Sequence, residues 1–592
     1  MTNEAGAASL VAKPIPQKEF DFVIVGAGSA GCVLANRLSG LPQAPSVCLI
    51  ERGPSNTDGR WNVAMPAGAV YSKNNENARD LWFQYKSEPL QALSRRRIDC
   101  SGGTGWGGTS AVNFMQFVRG QPQDFDHWSK EDYCGPLWSN ENCVPYFKKL
   151  ETFLPGFEFA TSIDSDAERE CALHLKEFRG FDGPVKVTNG RILNRQYSKC
   201  PYYPAFIRAA VQAGHKFNPD FNGVSQEGAS WMDTTTFNGV RQSASRCYLH
   251  PALSRKNLTV ISDVLVSRVI LEEKQAVGVE VRDAKGRERD VKASKEVIIS
   301  CGAYHSPKLL MLSGIGDPAA LEHVGIETLH DLPGVGRNLK DHLSFRLKYA
   351  TRHPEFSFVP GDWKTEWAKD MKTEWEAHKD GWGASNAHEA CLFFKSNGGL
   401  TRPNMECVVS PAILDWKEGD LKLVPGITFG LMYMKTLSVG HVCLKSKHPE
   451  ESPMIVHNYL SDPREMREIS DGLKILRKAI HQPALAELAG DELFPGDSCS
   501  SDASIHGFVR EGATGCFQAC GTCRMGDPNA VPTPEAGRQL VVDAELRVIG
   551  LRGLRVVDAS IMPSITSGNL NAPIMMIAEQ AAQLIADTYY QS

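Results

Sequence analysis

Residues 20–40, FDFVIVGAGSAGCVLANRLSG, limit what this chain can fold into more than any other stretch. Phe20 to Val25 is a short, unbroken apolar run rich in β-branched residues, the pattern of a strand buried on both faces of a parallel sheet. Gly26, Gly28 and Gly31 follow as G-x-G-x-x-G. Ala30, Val33, Leu34 and Leu38 then recur at helical spacing up to Ser39-Gly40, with Pro42 just beyond. A second apolar strand, Val47 to Ile50, ends at Glu51. In such a strand–turn–helix–strand–acid unit the first glycine makes the tight turn and the second lets a pyrophosphate approach the backbone. The third lets the helix pack on the strand, and the acid accepts from the ribose hydroxyls. A dinucleotide-binding domain is therefore expected. FAD and nicotinamide cofactors share the fingerprint, so it does not choose between them.

At 592 residues the chain exceeds one ordinary domain, and at least two cores are expected. A net charge of −5 gives no electrostatic reason to expect nucleic acid or an anionic membrane as partner. No run approaches the roughly 20 apolar residues of a membrane-spanning helix. Residues 1–18 read as a polar leader without the apolar core of a signal peptide. The 16 scattered cysteines are then expected to be reduced thiols, and the location cytoplasmic.

Three further stretches narrow the choice. SGGTGWGGTSAVNFMQFVRG (101–120) places five glycines in its first eight positions, as a backbone lying flat against a large rigid object would. GAYHSPKLLMLSGIG (302–316) follows the apolar strand Val297 to Ser300, with a helix expected to start at Ser306-Pro307. GLRVVDASIMPSITSGNLNAPIMMIAEQAAQLIA gives another strand, Leu554 to Val557, then Asp558, a loop, and a helix from about Ala572. Together these resemble the glucose–methanol–choline (GMC) family of FAD-dependent oxidoreductases over residues 20 to 588, Thr104 being the one departure within the first signature. GWGASNAHEACLFF (381–394), HQPALAELAGDELFPG (481–496) and ACGTCRMG (519–526) make the choline dehydrogenase branch the most similar.

The resemblance implies an α/β (α+β) protein. A discontinuous Rossmann-like FAD-binding domain would comprise 19–155, 225–335 and 535–592, with short substrate-side insertions near 60–95. A substrate-binding domain of antiparallel sheet plus helices would comprise 156–224 and 336–534. It implies FAD as cofactor, over Gly26, Gly28 and Gly31, with Glu51 on the adenosine ribose and Val266 against adenine. Gly107, Gly108, Thr109 and Asn113 would border the flavin ring and phosphates. Asp558 and Ala559 would close the pyrophosphate side, and Asn571, Ala572 and Pro573 would approach the pyrimidine edge, where free N–H groups of the final helix favour negative charge. The implied reaction passes a hydride from an alcohol carbon to flavin N5, giving an aldehyde or ketone. Oxygen or a quinone or other carrier would take the electrons.

Cys516, Cys520 and Cys523 form a C-x₃-C-x₂-C run that could mark an iron–sulfur cluster. Its place near the C-terminus and its apolar flanks instead suit small packing residues in an active-site wall. The same segment holds a departure: where the family has its catalytic His, this chain has Gln518, which takes no proton at pH 7. Asn571 would be the second member of the catalytic pair, and His388 or Glu389 a substitute base. A substrate needing no base is a further reading. So is FAD retained for other chemistry, a non-redox lyase or cyclase reaction or light-driven decarboxylation. The kept Asn571 favours the redox enzyme. Trp363, Trp367, Met371 and Trp375 share one helix face, which either packs on the domain or forms a lid. His305 and His342 read as structural.

Overall fold

A computed structural model describes residues 19–55, 57–71, 76–160, 162–359, 368–417 and 420–590. β1 (Glu19–Val25) lies inside a seven-stranded sheet, between β2 (Val47–Ile50) and β3 (Glu288–Ile299), and pairs in parallel with both. Phe22, Val23 and Ile24 are fully buried, as their unbroken apolar run requires. Leu258–Ile261 continues the sheet beyond β2, and the antiparallel strands Gln275–Asp283 and Val264–Glu272 continue it beyond β3. From the far end of the sequence, Leu554–Val556 joins β3 in parallel. α1 (Ser29–Ser39) and the final helix (Asn571–Tyr590) are tied by an ion pair from Arg37 to the buried Glu579, 2.7 Å.

A second seven-stranded sheet is antiparallel. One strand in from its edge is β4 (Leu343–Thr351), which pairs with Ile427–Tyr433 on one side and Ala489–Phe494 on the other. Side chains alternate along β4. Leu343, Phe345, Leu347 and Tyr349 enter a core shared with the helices Tyr202–Gln212 and Pro463–Ile480, while Ser344, Arg346 and Lys348 take the other face. The α/β class with a discontinuous nucleotide sheet and an antiparallel substrate sheet matches the expectation.

Two expected boundaries shift. Gly228–Trp231, placed in the FAD segment starting at 225, is instead the edge strand of the antiparallel sheet, paired with Ala390–Phe394. Its sequence, GASW, carries no sign of which sheet it joins. The helix expected at Ser306 starts at Gly302 and runs to Leu312. The Asp558 carboxylate accepts from the Gly302 N–H at 2.8 Å and from the Ser306 hydroxyl at 2.5 Å, so a long-range partner sets the helix start. Met371 and Trp375 are buried, and the Trp375 indole donates to the Gly239 carbonyl at 2.6 Å, which makes that face a packing face. Trp363 and Trp367 lie outside the described residues, as does the leader 1–18. Among the described residues no helix is long and apolar enough to cross a membrane.

Candidate active site

A cavity of about 830 Å³ lies between the two sheets. Its inner end is built by the glycine turns. Gly26 has φ +101°, and a Cβ there would sit 2.5 Å from the Ser300 carbonyl oxygen. A Cβ on Gly31 would lie 1.8 Å from the Gly26 oxygen, so this glycine is a packing requirement and does not reach the cavity. Gly28 differs from both: a Cβ there meets nothing within 4 Å and would enter the cavity. Gly28 also caps α1, with no side chain bonded to the N–H groups of its first turn. An open cradle at a helix N-terminus, in a cavity within the roughly 300–1,000 Å³ range of cofactor and ligand sites, fits a flavin dinucleotide.

Glu51 lines this end and joins its loops. One carboxylate oxygen accepts from the Gly53 and Gly105 N–H groups, 2.8 and 3.0 Å, and the other from the Ala27 N–H, 2.8 Å. Gly108, Thr109, Asn113 and Val266 also line the cavity, as do Asp558 and Ala559. Gly107 does not; its N–H donates to the Ala27 carbonyl and docks the glycine-rich loop on the first turn. Ala572 and Pro573 are buried inside the final helix and do not reach the cavity.

The outer end centres on residues 516–521. This segment is pinned against the approach to β4: the Cys516 N–H donates to the His342 carbonyl, and Cys520 and Lys340 exchange backbone bonds. Phe517 has φ +58°, a left-handed conformation that costs a non-glycine residue of order 1–3 kcal/mol. The turn places the Gln518 N–H 2.8 Å from the Asp341 carboxylate. Gln518 Oε1 in turn accepts from the Leu570 N–H at 2.9 Å, which leaves its –NH₂ end as the group available to donate into the cavity.

Asn571, expected beside Gln518, accepts from the Ser29 hydroxyl at 2.7 Å and so faces the nucleotide end. The asparagine at the Gln518 wall is Asn569, which the sequence reading passed over. Its Nδ2 donates to Gln116 Oε1 at 3.1 Å, while Asn569 Oδ1 and Gln116 Nε2 are buried without partners. All three residues line the cavity. Each such unpaired buried group costs about 1–3 kcal/mol.

His388 and Glu389 do not line the cavity. His388 packs behind Phe114, ring centroids 4.7 Å apart, and burial together with the Arg346 charge holds its imidazole down at about 4. Glu389 is fully buried and accepts from the Ser198 and Ser385 hydroxyls; burial pushes it up to about 7. The signal for a base was residue type alone; Glu389 is buried, and neither residue lines the cavity. His342 is fully buried; His305 lines the cavity and bonds Tyr85 at 3.0 Å. Cys520 and Cys523 are core residues, and Cys516 lines the cavity. Among the described residues no His, Cys, Asp or Glu group is arranged to hold a metal ion.

Asp341 anchors Gln518 under a strain of its own. Burial pushes its carboxyl up to about 7, against hydrogen bonds from the Tyr459 hydroxyl and the Gln518 N–H. A folded value above the unfolded one gives stability that is complete at low pH and is lost as pH rises from about 4 to about 7. Asp341→Asn keeps an acceptor for Gln518 and removes the titration. Thermal denaturation across pH should therefore show the variant losing less stability than the parent over that window.

The chain is similar to known proteins over nearly its whole length. Two GMC oxidoreductase family models match, one over residues 20–344 and the other over 436–578. An oxygen-dependent choline dehydrogenase of Klebsiella pneumoniae subsp. pneumoniae is 38% identical over 569 residues, covering 96% of each chain. That of Vibrio vulnificus is 38% identical over 574 residues, covering 96% of this chain and 94% of its own. Among solved structures, pyridoxine 4-oxidase from Mesorbium loti superposes with a TM-score of 0.79 at 26% identity, covering 95% of this chain and 99% of its own. A formate oxidase superposes with a TM-score of 0.85 at 23% identity, covering 97% and 99%, a likeness of fold.

Proposed function

Because this chain belongs to the GMC oxidoreductase family, we propose that Gln518 and Asn569 hold the oxygen of a small alcohol that it oxidises to an aldehyde or ketone with FAD. The observation that carries this is the shared wall: a Gln518 amide fixed by Leu570, beside an Asn569 carbonyl buried without a partner. When bound, FAD supplies the two-electron acceptor for the carbinol C–H bond. Gly28 and the N-terminus of α1 would hold its pyrophosphate, Glu51 its ribose, and Val266 its adenine.

The residues of the chain do the rest. The Gln518 –NH₂ donates to the substrate oxygen, and Asn569 Oδ1 accepts the hydroxyl hydrogen, so together they fix the carbinol orientation. Neither takes a proton at neutral pH, and a missing general base typically costs ~10²–10⁴-fold in rate. The hydroxyl proton then leaves to water as the carbonyl forms. Asp341 positions Gln518 from behind. Re-oxidation would fall to oxygen or to a quinone-type carrier.

Anaerobic mixing of the purified yellow protein with a panel of primary and secondary alcohols tests the reading. Bleaching of the visible flavin band is expected with at least one of them. A flavin that dithionite reduces and no alcohol does would overturn it, and would favour non-redox or light-driven chemistry.

A further inference from the structure

Gln116 and Gln518 are set into the cavity wall in the same unusual way. Gln518 follows Phe517 and Gln116 follows Met115; both preceding residues have φ +58°, and both line the cavity. A non-glycine residue held in the left-handed region is strained, and such strain concentrates where a side chain must be aimed at a ligand. The turn at Met115 is fixed from several sides. Its N–H donates to Asn113 Oδ1 at 3.0 Å, and its carbonyl accepts from the Thr235 N–H at 2.7 Å. Just beyond Gln116, the Phe117 N–H donates to the Asp233 carbonyl at 2.8 Å. Gln518 holds the carbinol in the reaction proposed above, and Gln116 has no part in it.

Gln116 Oε1 accepts from Asn569 Nδ2 at 3.1 Å, and its Nε2 is buried with no partner among the described residues. One bond therefore joins the two amides and leaves one donor, Gln116 Nε2, and one acceptor, Asn569 Oδ1. Each lies at the far end of an amide that takes part in that bond. With the Gln518 –NH₂, whose own oxygen is held by Leu570, the wall presents two donors around one acceptor. A carbinol hydroxyl gives its hydrogen to Asn569 and accepts from Gln518. The Gln116 donor is then left over. A buried donor without a partner is costly, so a ligand that brings a second acceptor is favoured over one that does not.

Resting on the alcohol-oxidation reading, we propose that Gln116 determines specificity by donating to a second oxygen of the substrate, one or two carbons from the carbinol. The substrate class is then a vicinal diol, a hydroxy ether or a hydroxy ketone. Three contacts, to Gln116, Gln518 and Asn569, fix the carbon chain as well as the reacting oxygen, and so select which carbinol hydrogen is presented for removal. Choline, the compound named in the bacterial relatives, has a single oxygen and leaves Gln116 unmatched.

The test uses the purified holoenzyme and pairs of alcohols that differ by one oxygen: ethylene glycol against propanol, and methoxyethanol against butanol. Perturbation of the visible flavin spectrum reports binding to the oxidised protein, and anaerobic bleaching reports reduction. The oxygenated member of each pair should bind roughly tenfold more tightly than its carbon analogue. Gln116→Glu keeps an oxygen for Asn569 and removes the donor, and should bring that ratio close to one. Equal binding within both pairs overturns the proposal, and so does a preference that survives in Gln116→Glu. A preference that depends on Gln116, with no alcohol bleaching the flavin, upholds the second contact and sinks the redox reading alone. Equal binding together with bleaching by propanol and butanol does the reverse. If Gln116→Glu fails to fold, the paired alcohols on the unaltered protein still decide.

Discussion

Replacing Asn569 with alanine is expected to slow flavin reduction by roughly a hundredfold or more while FAD stays bound. Asn569 Oδ1 is a buried acceptor with no partner, beside a Gln518 amide whose own acceptor is taken by Leu570. On the proposed reading a substrate hydroxyl satisfies it, and alanine would leave that hydroxyl free to turn away from the reactive geometry. Asn571→Ala is the control. Its carbonyl accepts from Ser29 at the nucleotide loop, so its loss should lower the flavin content of the protein rather than the reduction rate per bound flavin. Rapid-mixing rates, divided by the flavin-to-protein ratio, separate the two. A normal rate in Asn569→Ala and a collapsed one in Asn571→Ala would return Asn571 to the substrate oxygen.

Gly28→Val should give a folded, colourless protein, whereas Gly31→Ala should give little soluble protein at all. The two glycines stand three residues apart in one turn, and their surroundings are opposite. A Cβ at Gly28 enters open space, and its φ of −74° and ψ of −163° suit any residue, so the chain loses only the space into which a pyrophosphate would fit. At Gly31 the same carbon would overlap the Gly26 oxygen at 1.8 Å, which forces α1 off β1. Absorbance in the visible band against protein content reads the first effect. Circular dichroism and the melting temperature read the second, and Gly28→Val should melt below the FAD-loaded parent because it lacks the stabilising ligand. A yellow Gly28→Val protein would contradict the assignment of that cradle.

What the sequence disclosed was whatever the backbone dictates locally. Gly26, Gly28 and Gly31 and the acid at Glu51 form a unit whose spacing is set by one turn and one helix, and the two strands and the helix form where that spacing puts them. Asn571 and Asn569 were harder, because N-L-N at a loop–helix junction sends its two amides to different ends of the cavity. Which goes where follows from Leu570 donating to Gln518, a contact 52 residues apart in sequence. Glu389 had the right chemistry for a base and the wrong depth, and His388 packs on Phe114 without lining the cavity. A motif reports residue type, and depth comes only from packing. Gly228–Trp231 shows the same limit for a strand, which names no partner. Arg346 and Lys348 went unremarked because alternate cations on a strand read as a solvated face, and here that face closes a cavity.

The sheet that β1 begins is completed only by residues 554–590. Leu554–Val556 fills its slot beside β3, and the final helix seats on α1. A nascent chain lacking them has the turn for a nucleotide without the walls that retain one. Loading must then wait for residues 554–590, and a chain truncated before Leu554 should yield no flavoprotein, however much of the polypeptide is made.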